Sequence, residues 1–231
     1  MPQDSPNVNS SLIPPQPIPT GAADFTRQMQ GLLDGQPKDD ATVEKAFEGM
    51  EGMFDLIAAG LYTMASMMVG EGEDSIQLVE TAITNAEVST CIEPEQARRS
   101  NRRALVTAAL QLIAQRDPSS LAAPEGLQPA VTCIEDDDLD AAGLSRQELE
   151  RMIAGPDRDR VRNWLESLPT ALRSIFVLRA VAGFSASETA DLLSVYGGPH
   201  AAGWSAESVR ELFRQALCSL ASQLIHATVG Q

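Results

Sequence analysis

The spacing of apolar residues constrains this chain more than any other feature. They fall at Val43, Phe47, Met50, Phe54, Ile57, Leu61, Met64 and Met68. The steps alternate between four and three residues, which draws one stripe down a helix and leaves no two-residue strand pattern. Glu44, Glu48, Glu51 and Asp55 lie largely off that stripe. Gly49 and Gly52 weaken a helix, so the stripe reads as one helix or as two shorter ones. Its methionines (Met50, Met53, Met64, Met67 and Met68) read as adaptable core filling rather than as a ligand groove.

The same period continues beyond the turn Gly70-Glu71-Gly72-Glu73. A second helix carries Ile76, Val79, Ile83 and Ala86 at three- and four-residue spacing. A third runs from about Ala97 to Gln115 and stops at Asp117-Pro118, because the residue before a proline is pushed out of helical geometry. Further on, Ser145-Arg146-Gln147-Glu148 and Ser185-Ala186-Ser187-Glu188 are capping-box patterns, each opening a helix. Between them, one helix spans Val161–Leu168 and another starts at Pro169 and ends at Gly183, a C′ glycine. Ser205 begins the last helix, with Val209, Leu212, Phe213, Ala216, Leu220 and Leu224 on its apolar side. No segment alternates as a strand and no repeat is visible.

Two stretches break this helical text. Residues 1–20 hold six prolines among Asn, Ser and Gln, too little apolar surface to offset the entropy of ordering. A disordered tail is therefore expected over 1–40. Pro118, Pro124 and Pro129, followed by Glu135-Asp136-Asp137-Asp138-Leu139-Asp140, mark an acidic linker over 117–144. The expected fold is all-α: one helical domain over 41–116, the linker, and a second helical domain over 145–231.

Charge narrows the function. The formal net charge is −15, yet from Asp157 onward seven arginines balance seven acids, so the whole excess lies in residues 1–156. An autonomous nucleic-acid binder carries a basic footprint, and this chain has none overall. Contact with DNA inside a larger complex remains compatible with this balance. Cys91, Cys133 and Cys218 are odd in number, far apart and without zinc spacing, so they read as three reduced thiols. The N-terminus lacks a basic region followed by an apolar one, which excludes a secretory signal. No run approaches the roughly 18–20 apolar residues of a membrane span. A cytoplasmic protein that does not engage a membrane is expected.

Asp136, Asp138 and Asp140 mimic the opening of a calcium loop. Ala141 stands where that loop needs Gly, and Gln147 where it needs its closing Glu, so no metal site is expected. His200 and His226 have no partner at catalytic spacing, and no P-loop, dinucleotide or Ser/His/Asp motif occurs. Neither enzyme activity nor a cofactor is expected.

The residues resemble the sigma-70 superfamily in its compact two-domain, extracytoplasmic-function form. The stretch Leu61–Gly70, continuing through Asp74 to Leu78-Val79-Glu80-Thr81-Ala82-Ile83, is similar to the first helical pair of sigma region 2. Leu168-Pro169, Arg173, Phe176, Leu178-Arg179, Gly183, Ser185, Glu188, Ala190 and Leu193 follow the order of region 4, and Ser205, Ser208-Val209-Arg210 and Ala216 continue into its recognition helix. The two matches cover roughly residues 50–115 and 160–225. The resemblance implies two helical bundles, the second a helix-turn-helix, and an interdomain connector. It implies core RNA polymerase as a partner through Leu78, Val79 and Ile83, with an anti-sigma factor as a further partner. Promoter DNA would be met by Arg210, Arg214, Ser205 and Ser208 on the recognition helix, and by Arg102 and Arg103 beside the promoter-melting helix, Arg103–Arg116.

The chain also departs from that pattern. Val195–Gly203 is inserted where the family has a tight turn. Only Arg210 and Arg214 supply positive charge to the recognition helix, with Glu211 and Leu212 at positions usually polar or basic. The melting helix holds no aromatic from Ala104 to Gln115, although stacking of unpaired bases is worth about 1–3 kcal/mol per base. Arg98, Arg99, Arg102 and Arg103 read either as a DNA-backbone contact or as a solvated face offsetting Glu93 and Glu95. Two functions stay open: a sigma-like initiation protein that reads promoters within the polymerase complex, and a sigma-fold interaction protein that binds polymerase or an anti-sigma regulator without reading DNA.

Overall fold

The computed structural model describes residues 57–85, 94–124 and 133–229. The chain divides into two units, Met1–Phe47 and Glu48–Gln231, and every described residue belongs to the second. The expected tail over 1–40, the stripe from Val43 to Phe54, Ala86, Cys91, Glu93 and Pro129 lie outside the described residues, as do the side chains of Leu224 and His226. Among the described residues the fold is all-helical, with eight α-helices and no strand. None of these helices is long and apolar enough to cross a membrane.

Helix α1 covers residues 57–69 and buries Leu61, Met64, Ala65 and Met68 at the expected spacing. The turn after it leads into α2, Glu73–Thr84, where Glu73 and Asp74 place negative charge at the N-terminus, the favourable end of the helix dipole. The apolar side of α2 departs from expectation by one position. Its buried residues are Ser75, Leu78 and Ala82, whereas Ile76 and Ile83 are each 45% exposed. Small Ser75 and Ala82, with no solvent exposure left, allow close packing against the next helix, and the Ser75 hydroxyl donates to the Gly70 carbonyl at 2.5 Å.

That helix, α3, spans Pro94–Arg116. Pro94 opens it, since the N–H a proline lacks has no intrahelical partner at the first position. Leu105, Val106, Ala109, Leu110 and Ile113 form its buried face. Its last residue, Arg116, pairs with Asp74 at 2.5 Å, so the C-terminus of α3 meets the N-terminus of α2. The Arg116 hydrogen bond holds the Asp74 carboxyl below its ordinary range. Asp117 then accepts from Ser119 N and Oγ at 3.0 and 2.7 Å, closing the chain into a turn that ends the helix.

Five helices complete the fold: α4, Arg146–Ala154; α5, Arg158–Ser167; α6, Thr170–Phe176; α7, Ala186–Tyr196; and α8, Ala206–Val229. Both capping boxes form as expected, at Ser145 with Glu148 and at Ser185 with Glu188. Helix α6 runs on through a wider turn, Val177–Val181, and the segment ends at Gly183, whose φ of 80° is costly for any residue with a Cβ. Trp164 meets Phe176 edge-on at 4.9 Å, and Phe176 lies 6.1 Å from Phe213. This aromatic column joins α5, α6 and α8, and the Trp164 indole donates to Ser219 Oγ at 3.0 Å.

Residues from the expected linker are packed rather than free. Leu121, Ile134 and Leu144 are buried. Asp137 receives Arg179 through both its carbonyl and its carboxylate, at 2.8 and 2.7 Å. The cysteine reading needs correction: Cys133 and Cys218, expected as separate thiols, form a disulfide with their Cα atoms 5.7 Å apart. They meet because the acidic segment lies along α8, an arrangement that a sequence separation of 85 conceals.

Candidate nucleic-acid interface

The helix pair α7–α8 holds most of the residues expected to meet DNA. Ser205 caps α8: its hydroxyl accepts from Ser208 N at 3.1 Å, and the two serine hydroxyls share a 2.7 Å hydrogen bond. Buried Val209, Phe213, Ala216, Leu217 and Leu220 fix which face of α8 turns inward, with Leu212 half-buried. Arg210 is then left exposed, with no ion pair or hydrogen bond from its guanidinium among the described residues.

Arg214, one turn further, is spent differently. It pairs with Glu211, which is only 5% exposed, and donates to the Glu135 carbonyl at 3.1 Å. Gln215 adds a donor to the second Glu211 oxygen at 3.3 Å. A carboxylate so deep requires such partners, because an unpaired buried charge is costly. Arg214 is therefore occupied by its own helix and by the acidic segment, and the exposed part of α8 offers one cation, Arg210, beside the hydroxyls of Ser205 and Ser208.

Residues 195–203, read from the sequence as an insertion, take an ordered form. Pro199–Ala201 make one 3-10 turn after Gly198, whose φ is 85°. Ala201 is fully buried, the His200 carbonyl accepts from Ala123 N at 3.1 Å, and the Trp204 indole donates to the Leu121 carbonyl at 2.9 Å. The insertion thus packs against the chain that follows α3 and joins α7 to the α3 side of the molecule.

Arg102 and Arg103 sit on α3, apart from this face in the chain and in their surroundings. Arg103 is exposed, whereas Arg102 is half-buried in a cleft of about 450 Å³ that it lines with Arg98, Arg99 and Arg146. Gly183 and Phe184 close its other side, and neither Arg210 nor Arg214 belongs to it. Arg99 reaches across to Glu188, tying α3 to the start of α7. The Glu188 carboxyl is held below its ordinary range, first by the Ser185 backbone and hydroxyl and then by Arg99. Arg146 was missed from the sequence; three residues before Leu149, the first buried leucine of α4, it carries no local signal linking it to α3.

The residues expected to meet polymerase divide as well. Leu78 is buried in the core, Val79 is half-buried and Ile83 is exposed. Ile76, seven residues before Ile83 and equally exposed, joins the same face of α2, and the seven-residue spacing was its signal. Among the described residues no group of three or more His, Cys, Asp or Glu could hold a metal ion.

Neither a family model nor a curated protein nor a solved structure matches this chain.

Proposed function

We propose that the chain is a sigma-factor-like transcription protein that docks on core RNA polymerase and meets promoter DNA only inside that complex. The observation that carries this reading is the capped pair α7–α8, a glycine turn leading into one serine-capped helix and a second serine-capped helix beside it, with Arg210 exposed in the first turns of α8. A helix-turn-helix presents bases and phosphates with the N-terminal part of its second helix. The exposed pair Ile76 and Ile83, seven residues apart on one face of α2, supports a protein partner. On this reading the two bundles of a sigma factor are α1–α3 and α4–α8, joined by the acidic segment.

A second reading is favoured by one specific observation. Arg214, half of the expected positive charge on α8, is bound to Glu211 and Glu135. An interaction protein that binds polymerase or an anti-sigma regulator without reading promoters needs no more than the α2 face. One experiment separates the two. The full chain is mixed with core RNA polymerase, recovered by pull-down and used for run-off transcription on a promoter library. Co-purification with promoter-dependent product, lost in Arg210→Glu, supports the first reading. Co-purification without product supports the second, and no co-purification overturns both.

A further inference from the structure

Helix α8 is covered along one side by the acidic segment that precedes α4. A covalent bond and two arginines hold it there. Cys133 is bonded to Cys218, the Glu135 carbonyl accepts from Arg214 at 3.1 Å, and the Asp137 carboxylate receives Arg179 at 2.7 Å. Two residues along the segment match four along the helix, from Cys133 at Cys218 to Glu135 at Arg214. Residues four apart share a helix face, so the segment runs antiparallel to α8 on that face. Ile134 is buried beneath it, whereas Cys133, Glu135, Asp136 and Asp138 are exposed.

The links are unequal. Both arginine links keep some exposure, and there water competes for donor and acceptor. Each arginine also has a second partner, Glu211 for Arg214 and the Phe184 carbonyl for Arg179, so neither loses its place if the segment leaves. Arg179 lies over the Phe213 ring as well, 5.0 Å from its centroid. The inner face of α8 is buried through Val209, Phe213, Ala216, Leu217 and Leu220, none of them part of the segment's anchorage. The covalent link is thus the strong one, and it is the one that chemistry can open.

We infer that the Cys133–Cys218 bond is a redox latch. Oxidised, it holds the acidic segment over the Arg214 side of α8; reduced, it lets the segment leave while the helices stay folded. The reaction is exchange with a dithiol. A thiolate of the reductant attacks Cys133 Sγ, in the more exposed residue of the pair. The S–S bond breaks with its electrons left on Cys218, which takes up a proton. The second thiolate of the reductant then displaces Cys133, which is protonated in turn. The protein gains two electrons and two protons, and the dithiol ends as a disulfide. Release carries Glu135, Asp136, Asp137 and Asp138 away from α8 and frees the Arg214 donor that Glu135 held. An anionic surface then approaches this side of the helix with less repulsion. The latch itself is independent of whether α8 meets DNA.

The test uses the full chain carrying Cys91→Ser, so that no third thiol joins the exchange, with dithiothreitol as the reductant. Alkylation and mass measurement should count no free thiol in the air-oxidised chain and two after reduction. A Glu-specific protease reads the segment, because cleavage after Glu135 needs a stretch of chain free to enter its active site. Cutting there should speed up about tenfold or more on reduction, with far-ultraviolet circular dichroism unchanged, and should slow again on reoxidation. Phenylglyoxal labelling of Arg214 should rise in parallel, while that of Arg210, already exposed, should not. Cys133→Ser and Cys218→Ser should behave without reductant as the reduced parent does; if either fails to fold, the reduced parent carries the comparison alone. The inference is overturned if the air-oxidised chain holds two free thiols, or if cleavage after Glu135 is equally fast in both forms. It is equally overturned if reduction melts the helices and opens every cleavage site together, which is the behaviour of a plain structural staple.

Discussion

Helices α3 and α8 are the two longest described, 23 and 24 residues, and they carry five and two of the chain's arginines respectively. They use them differently. On α3, Arg98, Arg99 and Arg102 line a cleft with Arg146, and Arg99 pairs with Glu188 on α7. On α8, Arg210 faces solvent while Arg214 is drawn inward by a buried glutamate. The lesson is that an arginine counted along a sequence is not an arginine available to a ligand. On α8 the nearest acid decides, and that acid is one turn away on the same helix.

The largest test of this contrast is the disulfide. Cys133–Cys218 ties the segment that carries Glu135 to α8, where Glu135 meets Arg214. Reduction, or Cys218→Ala, should lower the unfolding free energy by about 2–4 kcal/mol, the usual range for a disulfide. Urea unfolding with and without reductant measures it, and an unchanged midpoint would show that the acidic segment is held by its other contacts alone.

Next comes the arginine pair on α8. Arg214→Ala leaves Glu211 buried without its cation and should cost about 2 kcal/mol, below the full penalty for a buried pair because Arg214 keeps some solvent. Arg210→Ala should stay within about 0.5 kcal/mol of the parent, as exposed substitutions do. Equal effects at the two positions would erase the difference drawn between them.

The remaining tests are smaller and concern the wall opposite α3. Ser185→Ala removes the α7 cap and should cost about 1 kcal/mol, with the Arg99–Glu188 contact loosened in the same step. A chemical-denaturation series should find it, and a loss near zero would place the strength of that wall elsewhere. Acidification probes the same contact. Glu188 has a depressed folded value, so its contribution is present above the ordinary carboxylate range and is lost as pH falls through that depressed value. In Glu188→Gln the stability-against-pH curve should therefore be flatter below about pH 4 than in the parent.

Much of the local structure was readable because its causes are local. The two capping boxes need only a serine and a glutamate three residues apart, and the α1 stripe needs only its own spacing. What could not be read depends on neighbours remote in sequence. The buried face of α2 is set by close packing on α3, which selects small Ser75 and Ala82 over the larger Ile76 and Ile83. The cysteine pairing depends on where the acidic segment lies. The cleft is a middle case: three of its arginines stood out as a cluster, but nothing near Arg146 pointed to their helix. Glu211 and Arg214 show the limit most sharply, since their three-residue spacing was legible as a helical ion pair while the burial that makes it matter was not.

The two tryptophans of this chain occupy different kinds of place. Trp164 belongs to the aromatic column of α5, α6 and α8, and Trp204 hangs from the Leu121 carbonyl where the insertion meets the end of α3. Both indoles are buried and each N–H has a single distinct acceptor. The molecule thus carries two separate optical reporters, one for the junction and one for the interior. With Trp164→Phe, the emission that remains follows the junction alone. Should the insertion lift away before the helices melt, its red shift would come first and the interior signal of Trp204→Phe would lag behind it. Any ligand or partner that opens or tightens that junction would register in the colour of one side chain, with no label attached.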